Sequence, residues 1–211
     1  MNKQTNKWSH CQETERLFQE QDEGGYLRIP HNLDYWSQWV HYNLNNITLA
    51  VDVGCGKRHG IHLISEKVYG FDSLLFKSKN FIYGVVENLP FHNVPLLICS
   101  NTLDHVNNPI KALKEMISSS TMVILSVYTI NPLTKPYLCF RDKMHPHHFT
   151  EKEVENIIAS SGAEIISKYK TSHLSYLPYT TGVSYKLKFF FNYFLGLRFL
   201  CYHLRKESEK R

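Results

Sequence analysis

Residues 47–53 (ITLAVDV) form a short apolar run rich in β-branched side chains, closed at once by Gly54-Cys55-Gly56. Such a run suits a strand buried on both faces, and glycines directly behind it suit a turn where ligand atoms can approach the backbone. Ile61, Leu63 and Ile64, with Glu66 and Lys67, then fit a short helix. Strand, glycine turn and helix open a βαβ unit, which commits the chain to an α/β architecture.

Further strands are expected at 67–71, 81–84, 96–100, 121–127 and 164–169. Residues 109–118 (PIKALKEMIS) start with proline and space Ile110, Leu113 and Ile117 as one helical face. A second helix begins after Thr150, where Glu153 completes a capping box. Strands alternating with helices imply a Rossmann-like, doubly wound, mostly parallel sheet with helices on both faces. The second crossover is shortened, because the residues between Asp72 and Phe81 fall below the roughly 10 to 12 that a parallel crossover helix needs.

At 211 residues the chain suits one domain, read as an N-terminal helical lid (1–46), a core (47–182) and a basic aromatic C-terminal segment (183–211). With 43% hydrophobic and 20% charged residues, neither disorder nor a fibre is expected. Five cysteines without C-x-x-C spacing support neither a disulfide framework nor a zinc ribbon. No apolar stretch reaches the roughly 18 residues of a membrane span, and a cytoplasmic location is expected. The net charge of +5 is local: residues 183–211 hold seven basic and two acidic residues, leaving 17 of each sign elsewhere. A charge so confined argues against a nucleic-acid footprint and for one local contact.

In an open α/β sheet, ligands bind beyond the carboxyl ends of the strands, which is where Asp52, Gly54, Cys55 and Gly56 fall. Asp72, at the end of the next strand, offers a carboxylate able to accept two hydrogen bonds from a ribose diol. A dinucleotide fingerprint is missing, since His59 occupies the third glycine position and Gly60 arrives one residue late. A nicotinamide-dependent oxidoreductase is thereby disfavoured.

The order of motifs is more specific than any one of them: VDVGCG, GFD, GVVENLPF, LLICSNTLDHVNNPIKALKEM, then HPHHFTEKEVENIIASSGAEII. Together, over about residues 47–170, they resemble the class I S-adenosylmethionine-dependent methyltransferases, in the small-molecule (type 11-like) group. In that group the fourth strand runs into a turn like Leu103-Asp104-His105-Val106. The resemblance implies that Asp52, Gly54, Cys55 and Gly56 hold the methionine end of the cofactor and that Asp72 holds its ribose. Glu87, Asn88 and Leu89 would then lie beside the adenine, and Ser100 and Asn101 would border the sulfonium. Arg58, Val85 and Pro95 depart from the group's usual glycine, adenine-binding aspartate and strand-opening aspartate, which implies a thinner adenine pocket. A binding or regulatory protein that has lost turnover on this fold is the alternative.

Methyl transfer needs alignment and exclusion of water more than a fixed triad. For a hydroxyl acceptor His105 is the candidate base, since imidazole titrates near neutrality. His145, His147 and His148 have no acidic or cysteine partner at ligand spacing, so no metal is expected there. His145 and His148 are instead candidates for the substrate mouth, with Tyr35 and Trp36 and, as further pocket residues, Tyr26, Tyr137 and Phe140. Residues 184–206 are aromatic and basic and have two readings. They close the core or the pocket, or they rest on anionic headgroups at the inner face of the membrane and bring a lipid-linked acceptor to the site.

Overall fold

A computed structural model describes residues 3–21, 47–56, 68–74, 80–141, 144–172 and 198–207. Its centre is a seven-stranded sheet. The strands are β1 (Ala50–Val53), β2 (Val68–Asp72), β3 (Phe81–Tyr83), β4 (Val94–Ser100), β5 (Ser120–Thr129), β6 (Ala163–Ser172) and β7 (Arg198–Lys206). They lie in the order β3-β2-β1-β4-β5-β7-β6. The first five are parallel neighbours, and β7 runs antiparallel between β5 and β6.

Side-chain alternation along the strands divides the core in two. Val51, Val53, Leu97, Cys99, Val123, Leu125 and Val127 belong to the larger cluster. Against them pack α2 (Pro109–Ser119), through Ala112, Leu113, Met116 and Ile117, and α4 (Glu151–Ser160), through Val154 and Ile158, with the short α3 (Lys135–Arg141) between the two in the chain. Ala50, Val68, Leu96, Ile98 and Ile124 form the second cluster. The short helix expected after Gly56 falls outside the described residues, as does the middle of the shortened second crossover. β2 and β3 are nevertheless parallel.

Local signals account for both core helices. The side chain of Asn108 accepts the Lys111 N–H at 3.1 Å at the start of α2, with Pro109 in the first turn. Leu113 and Ile117 are buried as the spacing predicts, whereas Ile110 is 40% exposed and Ala112 and Met116 complete the buried stripe. At α4, Glu153 accepts the Thr150 N–H at 2.7 Å while Thr150 Oγ1 accepts the Glu153 N–H at 3.3 Å. Pro95 sits inside β4 but outside both registers: pairing with β1 begins at Leu96, and pairing with β5 passes from Val94 to Leu96. Gly84 is required by a close approach: a β-carbon there would stand 2.6 Å from the Phe71 ring.

β7 shows how part of the C-terminal segment packs against the core. Residues 198–206 lie in the sheet interior, with Leu200, Tyr202 and Leu204 buried. Through these three side chains the segment joins the larger core cluster, which extends that cluster past residue 182. Residues 184–197 are outside the described set. No helix among the described residues is long and apolar enough to cross a membrane.

Candidate active site

β1 and β2 end side by side, and each carries a buried aspartate at its carboxyl end, Asp52 next to last in β1 and Asp72 last in β2. The Gly54 N–H donates to Phe71 O at 2.7 Å, which draws the turn back over β2, and Gly54 and Gly56 take φ of 71° and 63°. Asp72 is gripped by its own backbone: Oδ2 accepts from Gly56 N and Oδ1 from Leu74 N, both at 2.8 Å. Each carboxylate oxygen retains a second lone pair for a ligand hydroxyl.

Burial, and then the neighbouring Asp72 carboxylate, push the Asp52 carboxyl up to about 8. Burial raises Asp72 too, against the pull of the Leu74 and Gly56 N–H groups and of nearby His105. A pair of acids held this way attracts a cation. The thiols of Cys55 and Cys99 are raised by burial first and by the surrounding aspartates next, so both are neutral packing groups rather than nucleophiles.

The end of β4 closes the site from the other side. Ser100 Oγ accepts from Ser126 Oγ at 3.1 Å, and the Asn101 N–H donates to Ser126 O at 2.9 Å. Asn101 stands at φ 51° with its Oδ1 buried and without a hydrogen-bond partner. Thr102, which the motif reading passes over, has its Oγ1 within hydrogen-bond distance of Val53 O, Gly54 O and Ser100 O. Its side chain occupies the space where a β-carbon on Gly54 would stand. Only the pairing of β1 with β4 brings these two residues together.

Two of the three residues expected beside an adenine have other partners. Glu87 Oε1 accepts the N–H groups of Asn107 and Asn108 at 2.7 and 3.0 Å, tying its loop to the start of α2. Leu89 is buried in the larger core cluster, and Asn88 is exposed.

The turn carrying His105 is clamped by two distant segments. The Trp8 indole and the Gln12 amide, both on α1 (Lys3–Gln21), donate to His105 O at 2.9 and 3.1 Å. Gln12 Oε1 also accepts from Ser73 Oγ at 2.9 Å, so α1 bridges the ends of β2 and β4. From below, the His147 N–H donates to Asp104 O at 3.2 Å and His147 Nε2 meets Val106 O at 2.9 Å. This brings His145 Nε2 to 3.7 Å from Asp104 Oδ2 and its ring to 4.4 Å from that of His105. The histidine group thus has an acidic neighbour after all, contrary to the spacing argument. His145 joins His105, whereas His148 lines a shallow open pocket of about 470 Å³ with Lys135, Cys139 and Glu153. Tyr137 and Phe140 are 56% and 83% exposed. Tyr26, Tyr35 and Trp36 lie outside the described residues.

No family model matches the chain, and no curated protein matches it. Solved structures share its fold. The geranyl diphosphate C-methyltransferase of Streptomyces coelicolor, crystallised with Mg2+, geranyl diphosphate and S-adenosyl-L-homocysteine, superposes with a TM-score of 0.65 at 11% identity, over 83% of this chain and 80% of that one. A proposed sarcosine dimethylglycine methyltransferase from Galdieria sulphuraria gives 0.61 at 10% identity, over 90% of each chain. The [4+2]-cyclase SpnF gives 0.60 at 10% identity, over 83% of this chain and 81% of that one. The fold is that of small-molecule class I methyltransferases, and the same fold carries a cyclase.

Proposed function

We propose that this protein is an S-adenosylmethionine-dependent methyltransferase acting on a hydroxyl oxygen of a small molecule. The observation that carries the reading is the buried pair Asp52 and Asp72, set around a glycine turn at the ends of adjacent parallel strands. S-Adenosylmethionine carries an ammonium and a sulfonium, the charges such a pair attracts, and a ribose diol suited to Asp72. The buried, unpartnered Asn101 Oδ1 fits the same ligand, being an acceptor that a bound polar group would satisfy.

When bound, the cofactor supplies a methyl group already activated on sulfur. The chain's residues supply position and charge. Asp52 and Asp72 orient the cationic end, Ser100 and Asn101 border the reacting centre, and α1 lies across the ends of β2 and β4, where it excludes water. An acceptor hydroxyl held there would give up its proton towards Asp104, His105 and His145 as it takes the methyl group, with the thioether as the leaving group. Gln12 joins His105 O to Ser73, the neighbour of Asp72, which supports reading this group as lying near the cofactor. A lipid-linked acceptor draws its support from the aromatic and basic composition of residues 184–206.

Calorimetric titration with S-adenosylmethionine, with NADH as control, tests the proposal. Saturable binding that Asp52→Asn and Asp72→Ala each weaken at least about tenfold, a loss of about 1.4 kcal/mol, is the expected result. Absence of binding at millimolar cofactor, in protein shown to be folded by its melting curve, overturns it. Binding without methyl transfer to any hydroxyl acceptor supports instead the regulatory reading on the same fold.

A further inference from the structure

We infer that Asp104, His105 and His145 form a binding site for a divalent transition-metal ion. Each offers one ligand atom, and the three atoms all lie within 4.8 Å of one another. Metal–ligand bonds of about 2.0 to 2.2 Å place neighbouring ligands of one ion roughly 3.0 to 3.6 Å apart. The 3.7 Å between Asp104 Oδ2 and His145 Nε2 is therefore a few tenths of an ångström from a coordinating arrangement.

A second observation points the same way. Among the described residues, the buried side-chain polar atoms without a hydrogen-bond partner are Asn101 Oδ1, Asp104 Oδ1, His105 Nδ1 and Tyr202 Oη. Three of the four belong to one turn, and two of those belong to this cluster. Buried polar groups are ordinarily satisfied, and a concentration of unsatisfied ones in a single turn marks a place built for a ligand. Asp104 is only 7% exposed, so water is a poor substitute there.

The surrounding contacts hold the set in place. His105 N donates to Thr102 O at 2.9 Å, and His147 pins residues 145–147 to Asp104 and Val106 through its backbone and its ring. Lys7 Nζ adds a bond to Pro146 O at 2.9 Å. His147 is thus occupied in positioning His145.

One carboxylate and two imidazoles suit zinc, cobalt, iron(II) or manganese, whereas magnesium and calcium favour all-oxygen sites. Three protein ligands leave coordination positions open, as catalytic sites do. A further step rests on the methyl-transfer reading: with the ion bound, Asp104, His105 and His145 are its ligands, and a hydroxide on an open position would take the acceptor's proton in their place, becoming bound water. The ion's binding does not depend on that step.

The test uses the full chain stripped with a chelator and titrated with zinc by calorimetry, and with cobalt(II) by visible absorption. The expected result is one equivalent of zinc bound more tightly than magnesium, and a cobalt spectrum that Asp104→Asn and His145→Gln abolish while His148→Gln and His203→Gln leave it intact. His145 is half-buried and its substitution spares the core, so His145→Gln stays informative if Asp104→Asn does not fold. Failure of zinc to bind, or binding unchanged in His145→Gln, overturns the site. S-Adenosylmethionine titrations on the same samples read the functional proposal separately: metal without cofactor binding sinks that proposal alone, and cofactor without metal binding sinks this one alone.

Discussion

The Thr102 side chain fills the space in front of Gly54 that a β-carbon would need, and Gly54 holds a φ of 71° that side chains rarely adopt. Gly54→Ala is therefore penalised twice, by collision and by backbone strain, and should lose about 2 to 4 kcal/mol in denaturant unfolding. Adding Thr102→Gly relieves the collision alone. A double-mutant cycle should return a coupling of at least about 1 kcal/mol, and additive losses would disprove the contact.

Asp52 makes stability depend on pH. Its folded pKa of about 8 lies above the ordinary carboxyl value of 3.8, so the folded state holds the proton that the unfolded state has released across that window. This contribution is complete at low pH and is lost as pH rises from about 4 towards 8, with a slope of up to about 1.4 kcal/mol per pH unit. Asp52→Asn should flatten the slope and be the more stable protein at pH 8. Binding of a cationic ligand would expel the same proton, so affinity for S-adenosylmethionine should rise between pH 6 and 8. Calorimetry in buffers of different ionisation enthalpy should register the released proton.

Glu87 gives a test of position against contact. Its carboxylate accepts the Asn107 and Asn108 N–H groups, so Glu87→Ala should cost about 1 to 3 kcal/mol of stability. Glu87→Gln, which keeps an acceptor, should cost less. Loss of cofactor affinity with unchanged melting temperature would show instead that Glu87 meets the ligand.

Gln12 links α1 to both Ser73 and His105. Each bond contributes about 0.5 to 1.5 kcal/mol, which bears on docking of this helix and little on the sheet. Gln12→Ala should speed limited proteolysis within residues 3–21 and leave the main unfolding transition nearly in place. A large drop in global stability would contradict that view.

What could be read directly from the sequence was local. The run ending at Val53, the proline start of α2 and the Thr150 capping box each specify their element through neighbours a few residues away. β7 was harder, although Leu200, Tyr202 and Leu204 do alternate with Cys201 and His203, because a stretch of phenylalanines and leucines before it hides the period. The helix α1 is polar and shows no apolar face, and side-chain bonds to distant backbone carbonyls hold it. In the site, Asp52, Asp72 and the glycines were visible because their spacing follows the strand–turn pattern. Thr102 against Gly54, and Asp104 beside His145, arise from strand pairing and chain return, which spacing along the chain does not encode.

The placement of β7 has a consequence for biosynthesis. Its two sheet partners are complete by Ser172, yet the strand that belongs between them begins only at Arg198. A nascent chain halted in that interval presents the bare edges of β5 and β6, templates for pairing with other chains. The ribosome must therefore deliver residues 198–206 before the sheet is sealed, and a premature stop anywhere ahead of them should leave an aggregating product rather than a shortened domain.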